Sequence, residues 1–325
     1  MRNRKKSALP TQYKMKTFPL SINFFIPGFL EKHLPGIEKT LALEERDCSQ
    51  WYNEFIDKCI KACGKKYFPI YRMSDGEFLF VLGEQPSDIR LSVFEKIRIW
   101  LSNFKAKFLL KGGLGAFTQG HYHSGEYSLK EWEKAKLEQP EQIKEISKKG
   151  ILALHLSYVE TQPFAERYWP ELDKWIIKHN ITINNDNYYP FYFVYAMLTG
   201  TRRRELLEGR RVLVVNGAKG EKKQDIIKGL QREGVVKVEW CSISLKRSMF
   251  DIIDVQPFIG KVDLAFVGAG IAKPHILLQM KNLNVPCIDA GFVFEVWANP
   301  ENKWNRPVCA NDKDYEKLRK DNPLK

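Results

Sequence analysis

Apolar and polar residues follow two patterns in turn along the chain, most regularly in its second half. Short aliphatic runs such as 211–216 and 262–267 have the composition of buried strands. A glycine-containing turn follows each of these runs, and apolar residues at helical spacing come next. Strands that alternate with helices predict an α/β, Rossmann-like fold with a mostly parallel sheet flanked by helices. The predicted strands are 66–72, 151–156, 211–216, 236–243, 262–267 and 285–289.

The first half of the chain is less regular. Four prolines within residues 1–36 interrupt any sustained period, so we expect an extended N-terminal arm there. The spacing predicts a charged helix or helix pair over 128–149, broken near Pro140 because proline removes a backbone donor. The other predicted helices, some of them insertions around the sheet, include 38–63, 76–110, 163–180, 189–199, 249–259 and 274–281.

These patterns divide the chain into three parts. We expect the extended arm over 1–36, one α/β domain over 37–310 and a C-terminal tail over 311–325. The domain is long enough to bury a sizeable core, and we place a sub-boundary in it at about 200–210, where the more regular half begins.

Composition narrows the class of protein. A hydrophobic fraction of 44% and a charged fraction of 28% are typical of a globular protein and not of a disordered one. The net charge of +13 favours an anionic partner, which includes nucleotides, nucleic acid and acidic membrane surfaces. The six cysteines lack metal-ligand spacing, which favours reduced thiols. No apolar run is long enough to span a membrane, so we expect a cytoplasmic protein whose N-terminal arm either docks on the domain or contacts a membrane surface.

The turn after the predicted strand 66–72 carries the most informative chemistry. Asp75 and Glu77 are hard oxygen donors two residues apart, which suits one divalent ion shared with a phosphate. Arg72 offers a forked donor for a phosphate or for one of these carboxylates. Gly76 allows a tight turn or the close approach of a ligand, and Ser74 lies beside it. The alternative is an exposed turn with an ordinary Arg–Asp pair.

Three later loops also follow predicted strands and contain glycine. Ligands of open parallel sheets bind beyond the carboxyl ends of the strands, so we expect these loops and the acidic turn to form one nucleotide pocket. Helices that begin after such loops direct free amides at a bound phosphate, and the lysines are candidate phosphate ligands. The alternative is structural turns with solvated lysines. The residues that we assign to this pocket are Asn216, Gly217, Lys219, Gly268, Gly270, Lys273 and Asp289.

Histidines are less specific candidates. His121 and His123 lie on the same side of an extended segment and are either metal ligands or ordinary loop residues. His155 lies near the end of the predicted strand 151–156. It is either a base or donor for a sugar hydroxyl, or a core histidine whose hydrogen bonds are satisfied.

The sequence Arg-x-x-Asp-Gly-Glu after an early strand, with a glycine-punctuated α/β second half, resembles the GT-D-type glycosyltransferases over about residues 40–310. The resemblance implies that Asp75 and Glu77 form the D-x-E motif, which holds Mn²⁺ or Mg²⁺ against the diphosphate of a nucleotide sugar. Arg72 would be the flanking arginine, with Ser74 where the family usually has glycine. The resemblance also implies a nucleotide-sugar donor and a glycan, glycolipid or glycoprotein acceptor.

Three other functions use some of the same features. A Rossmann-like methyltransferase would use the glycine turns but has no need for Asp75 and Glu77. A non-catalytic nucleic-acid-binding protein would use the positive charge and the basic run 201–204, yet the basic residues are scattered and form no recognisable module. An α/β scaffold without activity would share only the fold.

Overall fold

The computed structural model describes residues 15–19, 39–83, 93–94, 97, 127–159 and 162–299. Several predictions lie outside these residues. They are those for most of the arm, for most of the helical segment 84–110, for the histidine pair His121 and His123, and for the tail 311–325.

The described chain alternates between strands and helices. Its strands are β1 (Lys16–Pro19), β2 (Lys39–Ala42), β3 (Phe68–Met73), β4 (Ile151–Leu154), β5 (Ser157–Val159), β6 (Gln162–Pro163), β7 (Tyr188–Pro190), β8 (Arg211–Asn216), β9 (Lys237–Ser242), β10 (Leu264–Gly268) and β11 (Pro286–Asp289). Its α-helices are α1 (Cys48–Ala62), α2 (Asp75–Leu82), α3 (Leu129–Lys149), α4 (Phe164–Lys178), α5 (Phe191–Thr199), α6 (Arg203–Leu207), α7 (Gly220–Arg232), α8 (Lys273–Gln279) and α9 (Val293–Ala298).

A parallel sheet forms the centre of the fold. In the part of the chain that the structure describes it has seven strands, in the order β7-β4-β3-β11-β10-β8-β9, and every neighbouring pair is parallel. The inner strands are buried along nearly their whole length because helices cover both faces, which requires continuous apolar runs. The predicted α/β fold with a parallel sheet flanked by helices is confirmed.

The strand order brings the two halves of the chain together. β3 pairs directly with β11, so one sheet contains strands from before and after residues 200–210. From β8 the chain moves outward to β9, then returns past β8 to β10 and continues to β11. The direction of winding therefore reverses between β8 and β10. In open α/β sheets such a reversal leaves a crevice at the carboxyl ends of the two strands.

A smaller antiparallel sheet combines two strands from the start of the described chain with two that follow β4. Among the described residues its order is β1-β2-β5-β6, so β1, from the arm segment, pairs with β2. None of the helices in the described ranges combines the length and the apolar character needed to cross a bilayer.

Several predicted helices differ from the observed ones. The helix predicted over 38–63 begins only at Cys48, where the Asp47 side chain caps it, and β2 occupies the preceding residues. Pro140 does not break α3, which stays continuous and packs against α8, β3 and β4. The segment 249–259 forms only short 3₁₀ turns, since Pro257 removes a donor and the Asp251 side chain instead accepts from the Ser244 amide.

Candidate functional site at the carboxyl edge of the sheet

The acidic turn lies at the carboxyl end of β3, near the middle of the sheet. β3 ends at Met73, Ser74 is the residue that precedes α2, and Asp75 and Glu77 occupy the first turn of that helix. Because successive helical residues are rotated by about 100°, the two carboxylates diverge by about 200°. Glu77 is accordingly buried and Asp75 is exposed. The two acids of the motif have different surroundings.

Glu77 is engaged within the protein. Its Oε2 accepts a hydrogen bond from the Ser74 amide at 3.0 Å, so the side chain reaches back and satisfies a free amide at the helix start. Its Oε1 lies 2.6 Å from the Nζ of Lys273. Both oxygens of Glu77 therefore have partners.

Asp289, the last residue of β11, is completely buried and binds Arg72 of the neighbouring strand. Its Oδ2 accepts from the Arg72 backbone amide at 3.1 Å, and its Oδ1 accepts from Nη2 at 3.2 Å. The Asp289 carbonyl accepts from Arg72 Nε at 2.8 Å. The guanidinium also lies over the rings of Phe191 and Tyr195, with its carbon 5.0 and 4.6 Å from their centroids.

Lys273, at the start of α8, connects the two carboxylates. Its Nζ lies 2.9 Å from Asp289 Oδ2 as well as 2.6 Å from Glu77, and the side chain is buried. Burial by itself lowers the pKa of Lys273, but the charges of Asp289 and Glu77 outweigh this effect and hold that pKa above the usual lysine value. The sequence predicts Lys273 as a phosphate ligand. In the structure it is a buried cation paired with two carboxylates.

Arg72, Glu77, Lys273 and Asp289 form what we call the ion cluster, two cations and two anions. Charges removed from water are costly unless they are paired, and each charge of the cluster contacts an opposite one. The cluster joins β3, α2, α8 and β11 beneath the acidic turn. It therefore fixes the direction in which α2 presents Asp75.

A glycine makes room for the cluster. Gly291 follows β11 with a φ of +49°, a conformation that residues with a side chain rarely adopt. A Cβ added at this position would lie 1.7 Å from Arg72 Nη2. The turn at 289–291, assigned from the sequence to ligand binding, thus serves the packing of Arg72.

A second set of polar contacts reaches Asp75 from β4 and α5. Tyr192 Oη lies 3.0 Å from His155 Nε2, and His155 Nδ1 lies 2.8 Å from Ser74 Oγ. The Ser74 hydroxyl donates to Asp75 Oδ1 at 3.1 Å. His155 is buried and stacks on the Phe191 ring, with centroids 4.9 Å apart. We call Tyr192, His155, Ser74 and Asp75 the polar chain.

The other predicted loops meet where the winding of the sheet reverses. Asn216 at the end of β8 donates to the Gly268 carbonyl at the end of β10, at 3.3 Å, and accepts from the Ala218 amide at 2.7 Å. A Cβ at Gly268 would lie 2.3 Å from Asn216 Nδ2, so this contact needs glycine. Lys219 is exposed and immediately precedes α7, and a Cβ added at Gly270 would meet no atom within 4 Å.

The donor set can be tested against the divalent ion that the resemblance implies. In the described ranges, no group of three or more His, Cys, Asp or Glu side chains could hold a metal ion. Mg²⁺ and similar ions often bind through one or two carboxylates together with substrate phosphates. The residues present fit that arrangement, with Asp75 as the accessible carboxylate, and do not fit a site built from protein ligands alone.

The aromatic residues of α5 were missed as site residues. The aromatic run 188–195 predicts a helix beginning at Tyr189, whereas β7 ends at Pro190 and α5 begins at Phe191. Pro190 marks a strand end at the same edge of the sheet as the acidic turn, and this signal in the sequence could have identified these residues. Phe191, Tyr192 and Tyr195 consequently contact Arg72 and His155.

Comparisons with known proteins complete the description. No protein-family model and no curated protein matches the sequence significantly. The fold is similar to a structure described as a new glycosyltransferase (DUF1792) from Streptococcus sanguinis, over 82% of this chain and 96% of that one, with 11% identity and a TM-score of 0.45. It is also similar to a structure of domain of unknown function 1792 described as a distinct glycosyltransferase fold, over 82% and 98%, with 11% identity and a TM-score of 0.44. These values do not identify the family of this chain.

Proposed function

We propose that this chain is a glycosyltransferase that takes a sugar from a nucleoside-diphosphate donor, with Mn²⁺ or Mg²⁺, and transfers it to a glycan, glycolipid or glycoprotein. The observation that carries the proposal is the position of Asp75. It is the exposed carboxylate of an Arg-x-x-Asp-Gly-Glu turn at the carboxyl end of a central parallel strand, where ligands of such sheets bind. The buried ion cluster holds this turn in place.

The site has separate places for the two ends of a donor. Asp75 follows β3, whereas Asn216 ends β8 and Gly217 and Lys219 follow it, three positions away in the sheet. Three strand spacings amount to about 14 Å. In the proposed arrangement the nucleoside lies over the crevice between β8 and β10, and the diphosphate and sugar extend toward Asp75.

Charge on the leaving diphosphate is the main chemical demand of this reaction. Asp75 would hold the divalent ion, which would supply positive charge to stabilise the leaving diphosphate. Lys219, exposed just before α7, would add positive charge where the donor passes the end of β8, together with the free amides of that helix. Arg72 and Lys273 act indirectly, because their charges are already paired inside the protein.

Thermal shift with a panel of nucleoside diphosphates and nucleotide sugars, with and without Mn²⁺, tests the proposal. A ligand that binds only the folded protein raises Tm with its concentration. We expect a metal-dependent shift with one nucleotide, lost in Asp75→Asn. Asp186→Asn is the matched control, because Asp186 is an exposed aspartate that precedes β7 at the opposite edge.

The variants also make a prediction for turnover. Asp75→Asn should reduce transfer by at least about 100-fold with little loss of stability, since Asp75 is exposed. Asp186→Asn should keep normal turnover. A shift with S-adenosylmethionine or RNA in place of every nucleotide sugar, or normal turnover of Asp75→Asn, would contradict the proposal.

A further inference from the structure

We propose that His155 is a positioning residue, which Tyr192 holds in one tautomer so that Ser74 directs its hydroxyl hydrogen at Asp75. The inference rests on the proposed role of Asp75. It gives a role to a buried histidine that is hydrogen-bonded to Ser74 of the acidic turn. His155 belongs to neither the D-x-E motif nor the ion cluster.

The direction of the hydrogen bonds follows from the last contact of the polar chain. An ionised carboxylate only accepts hydrogen bonds, so the Ser74 hydroxyl must donate its one hydrogen to Asp75 Oδ1. Ser74 Oγ must then accept from His155 Nδ1, which therefore carries a hydrogen. In a neutral imidazole Nε2 is left as the acceptor, and Tyr192 Oη donates to it. The hydrogen bonds of the polar chain therefore run in one direction, from Tyr192 through His155 and Ser74 to Asp75.

Packing holds the inner part of the polar chain. His155 stacks on Phe191 with an interplanar angle of 15° and makes an edge contact with Tyr192 at a centroid distance of 5.1 Å. Its backbone amide donates to the Met73 carbonyl at 2.9 Å, which ties the end of β4 to the end of β3. The imidazole cannot turn without disrupting these contacts.

The outer end of the polar chain needs this support. Asp75 is exposed, so its carboxylate would otherwise exchange between rotamers. A fixed hydroxyl donor from Ser74 selects one orientation before substrate binds, which reduces the ordering required in the transition state. His155 is therefore expected to affect kcat through the orientation of Asp75, with little effect on the KM for the donor.

Two substitutions separate the two nitrogens of His155. Asn at this position can place its amide nitrogen near Nδ1 and so keep the donor to Ser74. Gln can reach the position of Nε2 and so keeps only the contact with Tyr192. We expect His155→Gln to lower kcat by about 10- to 100-fold, with KM within about twofold of wild type, and His155→Asn to retain several times more activity than His155→Gln. A purely structural histidine would give two variants whose activity follows only their folded fraction.

The tautomer gives a readout that does not depend on activity. We expect ¹⁵N NMR of histidine-labelled protein, assigned with His155→Asn, to show the hydrogen on Nδ1 of His155. Tyr192→Phe should release this preference. Tyr188→Phe is the control, because it removes a buried hydroxyl that binds the Leu41 carbonyl away from His155.

The outcomes separate the two proposals. A neutral His155 with its hydrogen on Nε2, or His155→Gln as active as His155→Asn per folded molecule, would overturn the positioning role. An Nδ1–H tautomer without transfer from any nucleotide sugar would leave the hydrogen-bond arrangement standing and would refute the proposed function and the catalytic part of the inference.

Discussion

Two Arg–Asp pairs join neighbouring strands at opposite edges of the same sheet. At the carboxyl edge, the backbone amide and the guanidinium of Arg72 in β3 donate hydrogen bonds to the side chain of Asp289 in β11. At the amino edge, Arg211 of β8 gives its backbone amide and guanidinium to Asp263, which precedes β10, at 2.8 and 2.7 Å. The same hydrogen-bonding pattern therefore occurs twice, with one pair near the candidate site and the other away from it.

Burial and companions distinguish the two pairs. The side chains of Arg72 and Asp289 are 3% and 0% exposed, whereas those of Arg211 and Asp263 are 42% and 19% exposed. Water screens the second pair, and an exposed pair adds little stability. The first pair needs Lys273 and Glu77 beside it to balance its charge. The contribution of an Arg–Asp pair to stability thus depends on its burial and on the charges beside it. Removing each pair in turn measures how much the two contributions differ.

The largest effect is expected for Asp289→Ala. Two buried cations, Arg72 and Lys273, would lose their shared partner, which should lower the free energy of unfolding by about 3–5 kcal/mol. Urea unfolding measures this loss. Asp289→Asn keeps the shape and some acceptors without the charge, so it separates the electrostatic part. A loss for Asp289→Ala no larger than that for Asp263→Ala would break the comparison.

A smaller loss is expected for Gly291→Ala, which acts on the buried pair through its arginine. The new Cβ would collide with Arg72 Nη2, in addition to the backbone cost of a φ of +49°. Gly270→Ala is the matched control, because its φ is +54° but no atom lies within 4 Å of the added Cβ. We expect the free energy of unfolding to fall by about 1–2 kcal/mol for the control and by about 1–2 kcal/mol more for Gly291→Ala in urea unfolding. Equal losses would mean that Arg72 has room to move.

The smallest effect is expected for Asp263→Asn at the amino edge. The hydrogen bond and charge of Arg211 hold the pKa of Asp263 below its usual value of 3.8. A carboxyl with a lowered folded-state pKa stabilises the protein above its unfolded pKa, and this contribution is lost as the pH falls through the folded pKa. We expect Tm to fall by about 2 °C or less at pH 7, and we expect the difference from wild type to shrink as the pH falls from the usual value of 3.8 through the lowered pKa of Asp263. A constant difference between pH 7 and pH 3 would contradict this assignment.

The sequence predicted the fold because the fold depends on local patterns. Aliphatic runs such as Arg211–Asn216 and the turn after Met73 are recognisable from neighbouring residues alone. The helix predicted over 249–259 was wrong, because Pro257 interrupts the helical pattern. The helix predicted over 38–63 was wrong in its first part, where a short strand precedes the helix cap. Pro140 shows the reverse, since packing keeps α3 continuous across a residue that disfavours a helix.

The candidate site was predictable only in outline. Asp75 and Glu77 stand out as a pair, but their separate environments depend on Lys273 and on residues of distant strands. Arg72 and Asp289 are 217 positions apart, and Ser74 and His155 are 81 apart. No periodicity relates such positions, since their contact requires β11 and β4 to lie on either side of β3.

By itself, the sequence determined that this protein is built from alternating strands and helices and that an acidic turn follows an early strand. Periodicity and turn chemistry act over a few residues, so both can be read without the fold. Only the tertiary structure decided that Glu77 is buried in an ion cluster and that Asp75 faces solvent with Ser74 and His155 behind it. The physical reason is that the strand order places the four charges of the ion cluster together in a low-dielectric interior and leaves the Asp75 carboxylate in water.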